Sequence, residues 1–216
     1  MSIGKIKWQS IVSKYAYPET WRSIWQVLNS AIPFFVLWYL AYRSLEVGYW
    51  LTLLITIPTA GFMVRMFIIF HDCCHGSFFE TPLANNRLGL LLGVAVWTPY
   101  YAWKHSHAIH HATAGDLDRR GIGDVYTMTV EEYLAAPWYK KFGYRVMRNP
   151  VILFTVGALI VFVFTHRFWE KGSGKREKNS VIWTNIALLG FVGWTIYHIG
   201  WQAYLLVEIP ILLMAC

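Results

Sequence analysis

The sequence predicts an all-α fold: a multi-pass transmembrane helical bundle that carries histidine-rich helices at its cytoplasmic boundary. Three observations predict it. Of the 216 residues 56% are hydrophobic and only 14% charged, against about 25% charged in a soluble domain. Residues 49–70 hold one charge, Arg65, and residues 181–200 hold none. At about 1.5 Å per residue each run reaches across roughly 30 Å of hydrocarbon. Twelve tryptophans and thirteen tyrosines supply the amphipathic rings that collect at lipid–water interfaces.

Taken in order, residues 1–26 are polar to amphipathic, with Lys5, Lys7, Lys14 and Arg22, and form a cytoplasmic N-terminal segment. The stretch mixes lysines with Trp8 and Tyr15 and lacks a short apolar core followed by a small-residue cleavage site, so it is not a removable signal peptide. Residues 27–216 form one membrane domain. Its first span covers 27–48, with Pro33 near the start, where a helix tolerates it best, and Arg43 and Glu46 late. The second covers 49–70. The apolar stretch 88–101 is short and glycine-rich, and 150–165 is marginal in length before His166 and Arg167. A basic loop at 171–178 precedes the span 181–200. Residues 201–216 begin another span around Glu208, which either faces the bundle or marks a pathway.

Charge sets the orientation. Residues 1–26 hold four Lys/Arg and residues 71–180 thirteen, leaving only Arg43 and Arg65 elsewhere. If the first two spans form a hairpin, both basic regions face the cytoplasm, as the positive-inside rule requires. The segments 88–101 and 150–165 then become re-entrant or interfacial pieces on that side. The net charge of +7 therefore follows membrane orientation and not nucleic-acid binding.

The chemistry is concentrated in histidines. Trp103–His111 reads Trp-Lys-His-Ser-His-Ala-Ile-His-His, and His71 and His75 close the second apolar run. On a helix, side chains turn by about 100° per residue, so His71 and His75 share a face, as do His107, His110 and His111 within about 100°. His105 falls about 160° from His107 and stands outside the group. Imidazole suits iron, zinc, copper and nickel alike, but five histidines without thiolate exceed one tetrahedral zinc site. The pattern predicts a two-metal centre ligated by His71, His75, His107, His110 and His111, with membrane placement favouring redox or oxygen chemistry on an apolar substrate.

Other polar residues read more plainly. Asp72 either accepts the second N–H of a ligand imidazole or meets solvent at a helix end. Cys73 and Cys74 are small packing residues; with Cys216 they offer no disulfide framework. His166 and His198 are structural, and Arg65 faces the bundle or snorkels.

With His-Asp-Cys-Cys-His (71–75) and His-Ala-Ile-His-His-Ala (107–112) in place, the chain resembles the membrane-bound fatty acid desaturases, most closely a bacterial acyl-lipid, delta-12-like branch. The likeness continues through Gly-Asp-Leu-Asp-Arg-Arg-Gly (115–121), Gly-Asp-Val-Tyr-Thr-Met-Thr-Val-Glu-Glu-Tyr (123–133), Ser-Val-Ile-Trp-Thr-Asn (180–185) and Tyr-Leu-Leu (204–206). The resemblance implies a cytoplasmic, histidine-ligated centre of two iron ions in a bacterial cytoplasmic membrane. His71 and His75 are its first-box ligands; His107, His110 and His111 belong to the second box. It implies a desaturase that uses O2 as co-substrate, takes two electrons from a donor and removes neighbouring hydrogens from an acyl chain to leave a cis double bond. Cys74 stands where relatives often carry glycine. The family's third box does not follow His111, so the chain is expected to be an N-terminal fragment, incomplete as an enzyme.

The partners implied are a membrane lipid or acyl chain and a separate ferredoxin or cytochrome b5-like electron donor, because no His-Pro-Gly-Gly motif is fused here. Lys140, Lys141, Arg145 and Arg148 either dock an acidic donor or are simple membrane-side charge. Two alternatives compete: another histidine-box oxygenase, such as an alkane or carotenoid hydroxylase or ketolase, and a non-catalytic haem- or metal-binding membrane protein. The second predicts ligands inside the spans, where only His198 lies.

Overall fold

A computed structural model describes residues 12–13, 17–121, 123 and 125–215. Lys5, Lys7, Trp8, Lys14, Tyr15 and Cys216 lie outside the described residues, so their sequence readings are not placed. The elements are α1 (Thr20–Ser44), α2 (Tyr49–His75), α3 (Pro82–Ala95), α4 (Tyr100–Thr113), α5 (Val130–Ala135), α6 (Trp138–Met147), α7 (Pro150–Arg167), α8 (Lys175–Ile199) and α9 (Trp201–Ala215). No strand occurs among the described residues. Helices α1, α2, α7 and α8 are long and apolar enough to cross a membrane, and α9 is a shorter apolar helix.

Helix α2 is the axis of the bundle, packed against α1, α3 and α9. Its buried stripe, with Ala60, Met63, Met66, Ile69, Phe70, Cys73 and Cys74, meets Phe34 and Ala41 of α1, Leu92 of α3 and Val207, Ile211 and Leu212 of α9. The two cysteines are thus packing residues. Apolar side chains such as Ile57, Leu189 and Trp194 remain exposed, as lipid-facing positions do in a bundle without a surrounding water shell. Hydroxyls at this depth are satisfied locally: Thr59 Oγ1 donates to Ile55 O at 2.7 Å, and Ser44 Oγ and Thr52 Oγ1 share a hydrogen bond of 2.8 Å that ties α1 to α2.

The stretch 88–101 is not one segment. Helix α3 starts earlier, with Thr81 Oγ1 accepting from Ala84 N and a proline in its first turn. Trp97, at φ 57°, reverses the chain, and Thr98 N closes onto Gly93 O at 2.7 Å. A Cβ on Gly93 would stand 2.5 Å from Thr98 O, so this turn needs glycine there. Pro99 then leads into α4. Helix α7 runs past 165 to Arg167, 18 residues in all, with its middle wound as two π-helical stretches.

Polar side chains inside the bundle are held by one another. Glu208 is buried and accepts from Trp38 Nε1 at 2.8 Å and Trp97 Nε1 at 3.3 Å, so it faces the bundle. The Arg167 guanidinium donates to Trp97 O and, at 3.0 Å, to Asn185 Oδ1, whose amide returns a bond to Arg167 O. His166 lies 3.4 Å from Thr98 Oγ1, and His198 packs on the rings of Trp194 and Tyr197. Both histidines sit in structural surroundings. Arg65 is exposed and donates to Asn29 Oδ1 at 2.7 Å.

Candidate metal centre

The site begins where α2 stops. Gly76, at φ 72°, adopts the left-handed conformation that glycine enters without a Cβ penalty. Gly76 N donates to Cys73 O and Ser77 N to Asp72 O, both at 3.1 Å. This paired closure ends a helix abruptly and leaves His71 and His75 in the last turn. The following loop is knitted by Asn85, only 1% exposed. Its Oδ1 accepts from Phe79 N, and its Nδ2 donates to the carbonyls of Phe79 and Thr81.

Helix α4 is set against this end by Tyr100. The ring is fully buried, edge-on to Phe70, and the hydroxyl lies 2.8 Å from Cys73 O and 3.1 Å from Asn86 Oδ1. Tyr101 N donates to Ser180 Oγ of α8 at 3.0 Å. One turn on, Trp103 lies flat on His107, ring centres 4.2 Å apart, and edge-on to His71 and Phe67. Helical spacing puts residue 103 on the face of residue 107. Sequence reading saw Trp103 only as the border of the histidine run, although that spacing could have marked it as part of the site.

Four imidazoles converge. Donor nitrogens of His71, His75, His107 and His111 all lie within 4.8 Å of one another. Nε2 of His107 stands 3.0 Å from that of His71, 3.2 Å from His75 and 3.0 Å from His111, and His71 and His75 are 3.3 Å apart. Ligands at about 2.1 Å from a metal ion, subtending right-angled to tetrahedral angles, are separated by about 3.0 to 3.4 Å. The spacing therefore fits a shared cation, and neutral imidazoles have too few protons to join so many nitrogens by hydrogen bonds. Burial, then the neighbouring imidazoles of His71, His111, His75 and His110, holds the His107 pKa down to about 4. At neutral pH the ring is therefore uncharged, and in its Nδ1–H tautomer the Nε2 lone pair faces the cluster.

Asp72 Oδ1 lies 3.2 Å from His71 Nδ1. Accepting that N–H fixes the tautomer in which His71 Nε2 faces the cluster. Asp72→Asn is expected to weaken metal binding about 10- to 100-fold, read by titrating the metal against a competing chelator. An unchanged affinity would assign Asp72 to solvent contact alone. His110 is not among the four: its ring centre is 5.9 Å from that of His107 and 5.6 Å from that of His111. Gly123 covers it, since a Cβ there would be 3.0 Å from His110 Cβ. His105 is exposed, away from the group.

The fatty acid desaturase family profile matches residues 47–216. A Bacillus subtilis (strain 168) fatty acid desaturase is 49% identical over 204 residues, covering 94% of this chain and 58% of the relative. An sn-1 acyl-lipid omega-3 desaturase (ferredoxin) of Synechocystis is 30% identical over 145 residues, 63% of this chain and 39% of the relative. An oleoyl-12-hydroxylase of Ricinus communis is 32% identical over 88 residues, 41% of this chain and 20% of the relative. The chain thus spans little more than half the length of the longest-matching of these relatives. No solved structure matches it. A profile match over most of the chain, on a membrane helical bundle whose histidines converge at the spacing of metal ligands, means that this chain belongs to the fatty acid desaturase family.

Proposed function

We propose that the protein carrying this chain is an O2-dependent fatty acid desaturase that places a cis double bond in an acyl chain of a membrane lipid. The observation that carries the reading is the position of the four-histidine cluster beside an apolar cavity. His71 lies one helical turn beyond Phe67, which with Met63, Val64, Phe162, Leu212 and Ala215 lines a cavity of about 220 Å³. Such a wall suits an acyl chain, and its shape rather than an acid–base group selects the carbons that react.

Two iron ions are the proposed metals, held by His71, His75, His107, His110 and His111. The absence of thiolate in the cluster speaks against a structural zinc site. When bound, iron supplies the redox chemistry that reduces O2, with two electrons from a donor, as two hydrogens leave neighbouring carbons. The chain's own residues do the positioning. Phe67 and Trp103 stand edge-to-face, 5.5 Å apart, between cavity and cluster, and give the approach an apolar wall. Asp72 holds the proton at His71 Nδ1. The (ferredoxin) in the names of the Synechocystis and Nostoc relatives supports a ferredoxin-like donor over a cytochrome b5-like one. We place residues 1–26 as a cytoplasmic segment, residues 27–216 as the desaturase membrane domain, and the histidines on the cytoplasmic face of a bacterial membrane.

Expression of the full-length protein in a desaturase-free bacterial host fed deuterated saturated fatty acid tests the reading. Gas chromatography–mass spectrometry is expected to show a cis olefin that has lost two deuterium atoms. The Ricinus relative makes hydroxylation the second reading, and hydroxy-acyl product alone would establish it. Absence of both products from iron-loaded, reduced protein would sink both readings.

A further inference from the structure

Outside the histidine cluster, the most unusual surface is α6. Trp138, Tyr139, Phe142 and Val146 fall within an arc of about 100° on this helix, and all four are exposed, Trp138 at 79% and Phe142 at 65%. Val130 and Leu134 of the preceding α5 are exposed as well, at 75% and 66%. Lys141, Arg145 and Arg148 follow one edge of that arc and Lys140 stands beyond the other. No Asp or Glu occurs between Glu132 and Glu170, so α6 carries positive charge with no counter-charge of its own, while α5 exposes one carboxylate, Glu131. Glu132 itself is taken by Arg120 and by Thr129 N.

The chain fixes where this face lies. Only Arg148 and Asn149 separate α6 from Pro150, the start of α7, and α7 exposes Val151, Phe154 and Phe164. A helix joined so closely to a lipid-facing one sits at the bilayer boundary. Helix α6 is braced there: Lys141 Nζ donates to Leu134 O at 2.9 Å, and the cations of Lys141 and Arg145 lie over the Tyr133 ring. Between α5 and α6 opens a concavity of about 420 Å³, its lining mostly apolar, with Met128, Val130, Tyr133, Tyr144, Arg145 and Arg148 around it. A mostly apolar hollow with two guanidinium groups in its wall suits the boundary between acyl chain and headgroup phosphate.

We propose that α5 and α6 form a docking surface for the anionic headgroup layer of the bilayer, with the aromatic arc sunk among acyl chains and Lys140, Lys141, Arg145 and Arg148 on lipid phosphates. An apolar stripe flanked by Lys and Arg is the composition of helices that lie in the membrane plane. An acidic protein partner would meet the charges but would leave the aromatic arc facing lipid or water. The surface is separate from the histidine cluster, and the inference does not depend on the reaction assigned to it.

The test uses full-length protein in nanodiscs of phosphatidylcholine alone and of equal parts phosphatidylcholine and phosphatidylglycerol. Hydrogen exchange over 130–148 is expected to slow when phosphatidylglycerol is present, and lipid retained through purification is expected to be enriched in it. Lys140→Gln/Lys141→Gln/Arg145→Gln is expected to abolish both, each cation contributing about fivefold, whereas Lys140→Arg/Lys141→Arg retains both. Equal exchange and retention in the two lipids overturn the proposal, as does enrichment indifferent to the triple substitution. A triple variant that keeps its phosphatidylglycerol but loses reduction by an acidic ferredoxin would make this face a donor dock instead.

Discussion

His107→Ala is expected to eliminate the proposed metal binding and product formation together, while the metal-free protein is expected to unfold at an unchanged or slightly higher temperature. His107 is the hub of the cluster, its Nε2 within 3.0 to 3.2 Å of three others, so no shared ion keeps its ligand set without it. The loss is expected to exceed the about 10- to 100-fold that an outer partner of a ligand contributes. Stability moves the other way because four nitrogen lone pairs at this spacing repel when no cation lies between them. The checks are iron content by mass spectrometry, product analysis, and unfolding in chelator. His105→Ala, an exposed change on the same helix, serves as control and leaves all three unchanged. Full iron loading of His107→Ala would remove the cluster as the metal centre.

Gly89→Ala is expected to unfold the protein more easily by about 3 kcal/mol, the upper range for forcing atoms into a packed interior, and to weaken metal binding although every ligand remains. A Cβ at Gly89 would stand 2.1 Å from Tyr100 Cε2 and 2.7 Å from its Cζ. The ring has nowhere to go: it is fully buried against Phe70, and its hydroxyl holds Cys73 O and Asn86. Tyr100 is also the first residue of α4, so displacing it re-aims the helix that carries His107 and His111. Gly190→Ala, where a Cβ meets nothing within 4 Å, is the matched control. If the two variants unfold alike in thermal scans and bind metal alike, Tyr100 does not position the centre.

The spans α2 and α8 were legible because apolar runs of 20 residues or so have one structural outcome in lipid. Helix α7 was legible only in part: read from the apolar run 150–165 as a re-entrant or interfacial piece, it gains His166 and Arg167 and is long and apolar enough to cross. The N-terminal edge of α1 was not: Thr20 to Gln26 contains Arg22 alongside Trp21 and Trp25, and composition cannot separate an interfacial turn of helix from a polar lead-in. The break between α3 and α4 was hidden because a tryptophan takes the left-handed turn position, where glycine or asparagine is the usual signal. The grouping of His71 and His75 with His107 and His111 followed from helical phase alone. Which of His110 and His111 points into the group did not, because adjacent residues differ by about 100° and the axis of α4 is set by Tyr100, Gly89 and Ser180, contacts distant in sequence. The partners of Glu208 were equally out of reach, since Trp38 is 170 residues away.

That carboxyl group has a consequence for biogenesis. Helix α9 carries an ionisable group within an apolar segment, which makes unaided entry into lipid costly. The two indole N–H groups that receive it belong to α1 and to the turn before α4, segments synthesised well before α9 leaves the ribosome. The earlier helices act as an intramolecular chaperone for α9, which inserts against a receptor already in place.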